Sequence, residues 1–196
     1  MINAANEFAR LKGVRNYSAK AYNGANFQFS DGNFDAAISR NGIIFFPDLS
    51  ETMKEVLRVL KPGGRFVFSG WGPPENNESG FIVRKIVTDV LNQEVTPLDS
   101  PGTYRFSQKG SIQTLLSDEG FRNVREIDLR GTVKFDSPEH YWQYVSENQT
   151  PIVEAIEKLA NKIKSALFGY IKPYDKNGTL EFKWHAVIGY GVKTAV

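Results

Sequence analysis

The 196-residue chain has no cysteine and only two histidines. Without thiols there is no disulfide, no thiolate nucleophile and no cysteine-ligated metal. His140 and His185 stand far apart with no acidic spacing that resembles a ligand set, so no metal site is expected. A charge excess of one sign is also lacking. Lys and Arg number 24 against 22 Asp and Glu, the formal net charge is +2, and no dense basic run offers a nucleic-acid surface. No uncharged apolar run approaches the roughly 20 residues of a spanning helix. Met1 to Gly13 has no secretory pattern, so a soluble cytoplasmic protein is expected. Phosphate loops, Gly-x-Ser-x-Gly elbows and dinucleotide fingerprints do not occur, and before Asn33 only Gly13, Gly24 and Gly32 are present, with no Gly-x-Gly.

What is present is concentrated between Phe34 and Gly72. Met53, Val56, Leu57 and Leu60 follow i, i+3, i+4, i+7 spacing, while Glu51, Lys54, Glu55 and Arg58 occupy the other face, which predicts an amphipathic helix. Asp48 stands where free amides need an acceptor, with Glu51 three residues on. Pro62-Gly63-Gly64 cannot continue a helix, so a turn is expected there. Phe34 to Ser39 and Arg65 to Ser69 read as buried strands on either side, giving one parallel βαβ unit in an open α/β sheet.

The flanks are less regular. Ile2, Phe8 and Leu11 suggest a short helix ending at Gly13, Val14 to Lys20 a brief strand, and Asn23-Gly24 a turn in a polar loop. Helical spacing resumes over Ser79 to Leu91 and again around Ile112, Leu115 and Leu116 before Gly120. Ile127, Leu129, Val133 and Phe135 alternate with polar residues as in a half-buried strand. Ser137-Pro138 and Thr150-Pro151 mark two further helix starts, and Leu180 to Ala186 forms a last strand on whose polar side His185 is expected to be solvated. His140, in a first helical turn, is expected to cap or to lie at the surface.

The runs SDGNFDAAISRNGIIFFPD and EVLRVLKPGGRFVFS resemble the central part of class I S-adenosylmethionine-dependent methyltransferases, specifically the type 11 group that includes ubiquinone and menaquinone biosynthesis methyltransferases. The resemblance covers Met1 to about Val133. It implies a Rossmann-like class I methyltransferase sheet, parallel with an antiparallel last strand, in one domain over 1–196. Residues 1–33 would be a remnant of the N-terminal half, 34–72 the central unit and 73–196 the half with substrate-side helices. Met1 aligns after the second strand of the family, so an N-terminally truncated sheet is expected, with strands 1 and 2 and the glycine-rich cofactor loop absent. The edge near Phe34 to Ser39 would then be free for self-association.

By the same resemblance, the cofactor is S-adenosylmethionine, and Asn23 and Gly24 match the loop that recognises adenine. Asn stands there in place of the family's Asp, which removes the charge-assisted part of that bond. Ser39 and Arg40 would face the methionine portion. Phe45 or Phe46 would wall the pocket, with at least two of Ile43, Ile44, Phe45 and Phe46 expected in the core instead, and Trp71 would either shape a substrate cavity or plug it. No catalytic residue is assigned, since an activated sulfonium needs alignment more than acid–base help. The expected partner is a small-molecule methyl acceptor, apolar or aromatic. Two other readings remain open at this point: a catalytically inactive methyltransferase-like binding domain, and an α/β domain of different function sharing only the central unit.

Overall fold

The computed structural model describes residues 1–22, 26–95 and 97–194. In chain order its elements are α1 (Ile2–Leu11), β1 (Phe34–Arg40), α2 (Leu49–Val59), β2 (Leu60–Trp71), α3 (Glu78–Asp89), α4 (Ser111–Asp118), β3 (Arg122–Phe135), α5 (Pro138–Asn148), α6 (Thr150–Ile171), β4 (Asp175–Lys176) and β5 (Thr179–Val192). β1 and β2 pair in parallel, whereas β5 runs antiparallel between β2 and β3, so the sheet order is β1-β2-β5-β3 with β4 hairpinned onto β5. This is the α/β architecture expected, including the antiparallel last strand.

Local chemistry sets the element ends. Asp48 caps α2 by accepting the Glu51 N–H at 2.9 Å. Ser137 caps α5 through the His140 N–H at 3.1 Å, with Pro138 in the first turn. α4 follows a left-handed Gly110 and takes its cap from outside. The Glu126 carboxylate on β3 accepts the N–H groups of Gly110, Ile112 and Gln113 at 2.7, 3.1 and 3.1 Å. A full negative charge thus meets the positive end of that helix.

Two apolar clusters lie on opposite faces of the sheet, since alternate residues of β5 serve each. Phe66, Phe68 and Val187 pack with Met53 and Val56 of α2 and Ile112 and Leu116 of α4. Leu180 and Phe182 pack with Ile82 and Ile86 of α3, Tyr141 and Val145 of α5, and Ile163 and Leu167 of α6. The second group of helices covers only one end of its face, and Ile38 in the middle of β1 remains 82% exposed. Both faces of a parallel pair are ordinarily covered, so the uncovered part is the space available to ligands.

Three expectations need correction. Val14 to Lys20 forms no strand; it has no ladder to join and is tied instead to α1, where the Asn6 amide bonds the N–H and C=O of Ala19. Pro62-Gly63-Gly64 lies within β2 and not in a separate turn. There the pairing partner of β1 jumps from Leu60 to Arg65, an irregularity made possible by Gly63 at φ +76°. His185 is buried at 4% exposure and far from solvated, because its imidazole Nε2 lies 2.6 Å from Asp128 Oδ1 and its backbone N–H donates to Asn77 Oδ1.

Candidate functional site

A cavity of about 910 Å³ opens on the uncovered sheet face and reaches the carboxyl ends of β1 and β2. Its floor is Ile38, Val67, Ala186 and Ile188, which share that face by register. Arg40 and Trp71 stand at the strand ends. Ser79 and Gly80, in the first turn of α3, Tyr104 in the following loop, and Tyr144 of α5 form the helix-side wall. The crevice beyond strand carboxyl ends is where open α/β sheets bind ligands. The volume falls in the range of small-molecule sites.

The structure brings Ser39, Arg40 and Trp71 to one cavity. Phe45 is not among its lining residues and is 58% exposed on a helical turn, where its neighbours Ile43 and Ile44 take the core positions. Asn23 and Gly24 lie outside the described residues. Tyr144 and Trp184, which no motif marks, also line the cavity.

The polar groups at the strand ends differ in availability. Ser39 Oγ accepts the Ile43 N–H at 3.1 Å, and Ser69 Oγ both accepts the Asn41 N–H at 3.2 Å and donates to Asn41 Oδ1 at 2.9 Å. Those hydroxyls hold their own loop, which turns at Asn41 with φ +51°. Arg40 is exposed at the rim, leaving its guanidinium accessible to a ligand. Just ahead of β1 the chain is clamped onto α2. Arg58 donates to the carbonyls of Phe27 and Phe29 and pairs with Asp31 and Glu55, and Glu55 accepts the Phe27 N–H at 2.9 Å. The Arg58 hydrogen bond holds the Glu55 carboxyl below the usual carboxylate range.

Tyrosines dominate the helix side. Burial pushes the Tyr104 phenol up to about 12, against a smaller downward pull from the charge of Arg84. Burial also raises Tyr141, whose hydroxyl lies 3.0 Å from Ser79 Oγ and 3.2 Å from the Ser79 carbonyl oxygen, fixing the start of α3 to α5. Both phenols stay protonated at neutral pH. His140 lies at the surface beside Asp136, and His185 packs under the turn before α3. Among the described residues no group of three or more His, Asp or Glu could hold a metal ion, and no helix is long and apolar enough to cross a membrane.

Comparison with known proteins places this geometry. Residues 1–68 match the family described as "Methyltransferase domain". An uncharacterized protein of Mycobacterium tuberculosis is 26% identical over 174 residues, covering 83% of this chain and 61% of that protein. An uncharacterized methyltransferase of Bacillus subtilis, YcgJ, is 26% identical over 151 residues, covering 77% of this chain and 54% of that protein. The crystal structure of YcgJ superposes with a TM-score of 0.59 at 20% identity, over 99% of this chain and 78% of the other. A putative methyltransferase from Bacillus halodurans gives 0.58 at 15% identity, over 98% and 78%. The chain is thus similar to methyltransferases in its first third and shares the fold of these solved structures. It spans between 54% and 61% of the length of these curated relatives.

Proposed function

We propose that the chain serves S-adenosylmethionine-dependent methyl transfer to a small apolar or aromatic molecule. The observation that carries this reading is the cavity itself, which joins the carboxyl ends of β1 and β2 to an aromatic wall supplied by α3, α5 and the Tyr104 loop. S-adenosylmethionine supplies a methyl group on an activated sulfonium. Its fit to the residues present is that of one wall of a site: the open floor at Ile38 and Val67 gives room, and Arg40 offers a cation for a carboxylate. Ser69 fits less well, because its hydroxyl is engaged twice with Asn41, whereas Ser39 accepts the Ile43 N–H and keeps its own O–H to donate.

The chain's own contribution is to hold the acceptor and exclude water. Trp71, Trp184 and Tyr144 line the acceptor space. No carboxylate or imidazole lines it among the described residues, and its basic side chains, Arg40 and Lys183, are hydrogen-bond donors. That favours an acceptor nucleophilic without help from a base. Titration calorimetry with S-adenosylhomocysteine tests the reading. Saturable binding, weakened about tenfold by Arg40→Ala through loss of a charged hydrogen bond, is expected, and no heat at high ligand concentration would sink it.

The engaged Ser69 hydroxyl favours one alternative, a catalytically inactive binding domain. Aromatic probes would then bind while S-adenosylhomocysteine gives no heat. For the partner surface, we take self-association through the edge of β1. It is supported by the absence of any strand paired to that edge among the described residues and by the exposure of Ile38. Light scattering over a concentration series should register dimers that Ile38→Lys abolishes; a monomer at every concentration contradicts it.

A further inference from the structure

A second cavity of about 380 Å³ lies beside the first, lined by Val83, Val87 and Val95 together with the polar Arg84, Gln93 and Glu94. The two share Gly80, Thr103, Tyr104 and Gln149, so these residues form a waist between them. The Tyr104 loop is held firmly there. Gly102 N–H donates to the Ile44 carbonyl at 2.9 Å, and the Arg105 guanidinium donates to the Phe46 carbonyl, which fastens the loop to the turn that follows β1. The Tyr104 hydroxyl itself rests against Gly80, where any Cβ would collide with the phenol oxygen. Glycine at this position therefore has a steric reason independent of backbone angle.

Among the described residues the Tyr104 hydroxyl makes no hydrogen bond. A largely buried phenol ordinarily finds a partner. Tyr141 behind it does so twice, through Ser79. The surroundings of Tyr104 differ: ligand space lies on both sides, and Gln149 lines the same waist. A donor held in place by a fastened loop, facing an aromatic cavity and lacking a protein acceptor, is matched by an acceptor atom on the ligand.

We infer that Tyr104 orients the bound small molecule, donating a hydrogen bond at the waist to an oxygen carried by an aromatic ring system. The inference rests on the small-molecule reading of the cavity but not on methyl transfer. It assigns Tyr104 as a specificity-determining residue and Gly80 as the vacancy that seats it. The ligand class is an aryl compound with a carbonyl, ether or phenolate oxygen, and its pure hydrocarbon counterpart binds less well.

The test uses two probes of nearly equal shape, 2-acetylnaphthalene and 2-ethylnaphthalene, titrated into the whole chain and followed by quenching of tryptophan fluorescence. Trp71 and Trp184 line the cavity and report occupancy. Wild-type protein is expected to prefer the ketone by roughly five- to tenfold, the ordinary worth of one neutral hydrogen bond. Tyr104→Phe should erase the preference by weakening the ketone alone, leaving the hydrocarbon unchanged, with an unaltered thermal midpoint. Gly80→Ala should erase it too, by displacing a hydroxyl that is still present. A preference that survives Tyr104→Phe, or no preference in wild type, overturns the assignment of Tyr104. Absence of saturable quenching by either probe overturns the cavity reading, and this assignment falls with it. Loss of S-adenosylhomocysteine binding with the ketone preference intact overturns only the methyl-transfer reading.

Discussion

Phe182→Ala is expected to lower unfolding free energy by about 3–5 kcal/mol, the largest effect of any single substitution proposed. Phe182 is fully buried at the crossing of β5 with α5 and α6. Its ring lies 4.7 Å from Tyr141, 5.1 Å from Tyr174 and 6.0 Å from Phe135, centroid to centroid. Truncation removes these contacts and leaves a void that neighbours on a sheet and two helices are poorly able to fill. Phe135 also lines the ligand cavity, so the same variant should bind aromatic probes more weakly. Urea denaturation measures the first effect and fluorescence titration the second. A midpoint close to wild type would mean that the α5–α6 cap contributes little to the stability of the sheet.

Gly72→Ala is the second. The added methyl carbon would lie 2.7 Å from His185 Cγ and Cε1. The backbone cannot retreat cheaply, because Gly72 N–H donates to the His185 carbonyl at 2.9 Å and the Asn77 amide donates to the Gly72 carbonyl at 3.2 Å. The ring must move instead, which breaks the 2.6 Å contact of His185 Nε2 with Asp128. Overpacking of this kind costs about 1–3 kcal/mol. The upper end is expected, since a buried imidazole also loses its carboxylate partner. Thermal denaturation reads the loss, and the imidazole proton resonances of His185 should shift in spectra of the folded variant. Unchanged resonances would show that the ring accommodates the methyl group.

These two sites illustrate how much of the fold was legible in the sequence. The βαβ unit was readable because its information is local: Asp48 caps, and the stripe from Met53 to Leu60 faces inward. The same holds for α5, announced by Ser137-Pro138, and for the alternation of β5. His185 was misread because alternation says which side a residue faces but not what lies on that side. Here the Asn77 turn and Asp128 cover it.

The candidate site was most legible at the strand ends. Arg40 and Trp71 follow directly from the position of the strands. Tyr104 and Tyr144 reach the cavity from an irregular loop and from a helix inserted between β3 and β5, and no spacing relates either to the strand ends. A weak signal did exist in Gly80. A glycine in the first turn of a helix carries a propensity cost, and its explanation is the phenol beside it. Val14 to Lys20 shows the opposite error, a locally acceptable strand with no neighbour to pair with.

The place of β5 in the sheet bears on how the chain acquires its structure. β5 joins β2 to β3, although it is the last long element in the sequence; Ser69 must find Ile188, and Ile127 must find the same residue from the other side. During synthesis β1, α2 and β2 can assemble early from neighbours in sequence, but the middle of the sheet stays empty until residues 179–192 have left the ribosome. Such pairings close long loops before any contact repays the entropy, which slows folding and leaves apolar strand edges open in the nascent chain. Closure of the described sheet is therefore expected to wait for β5, whose absence would leave the edges of β2 and β3 unpaired.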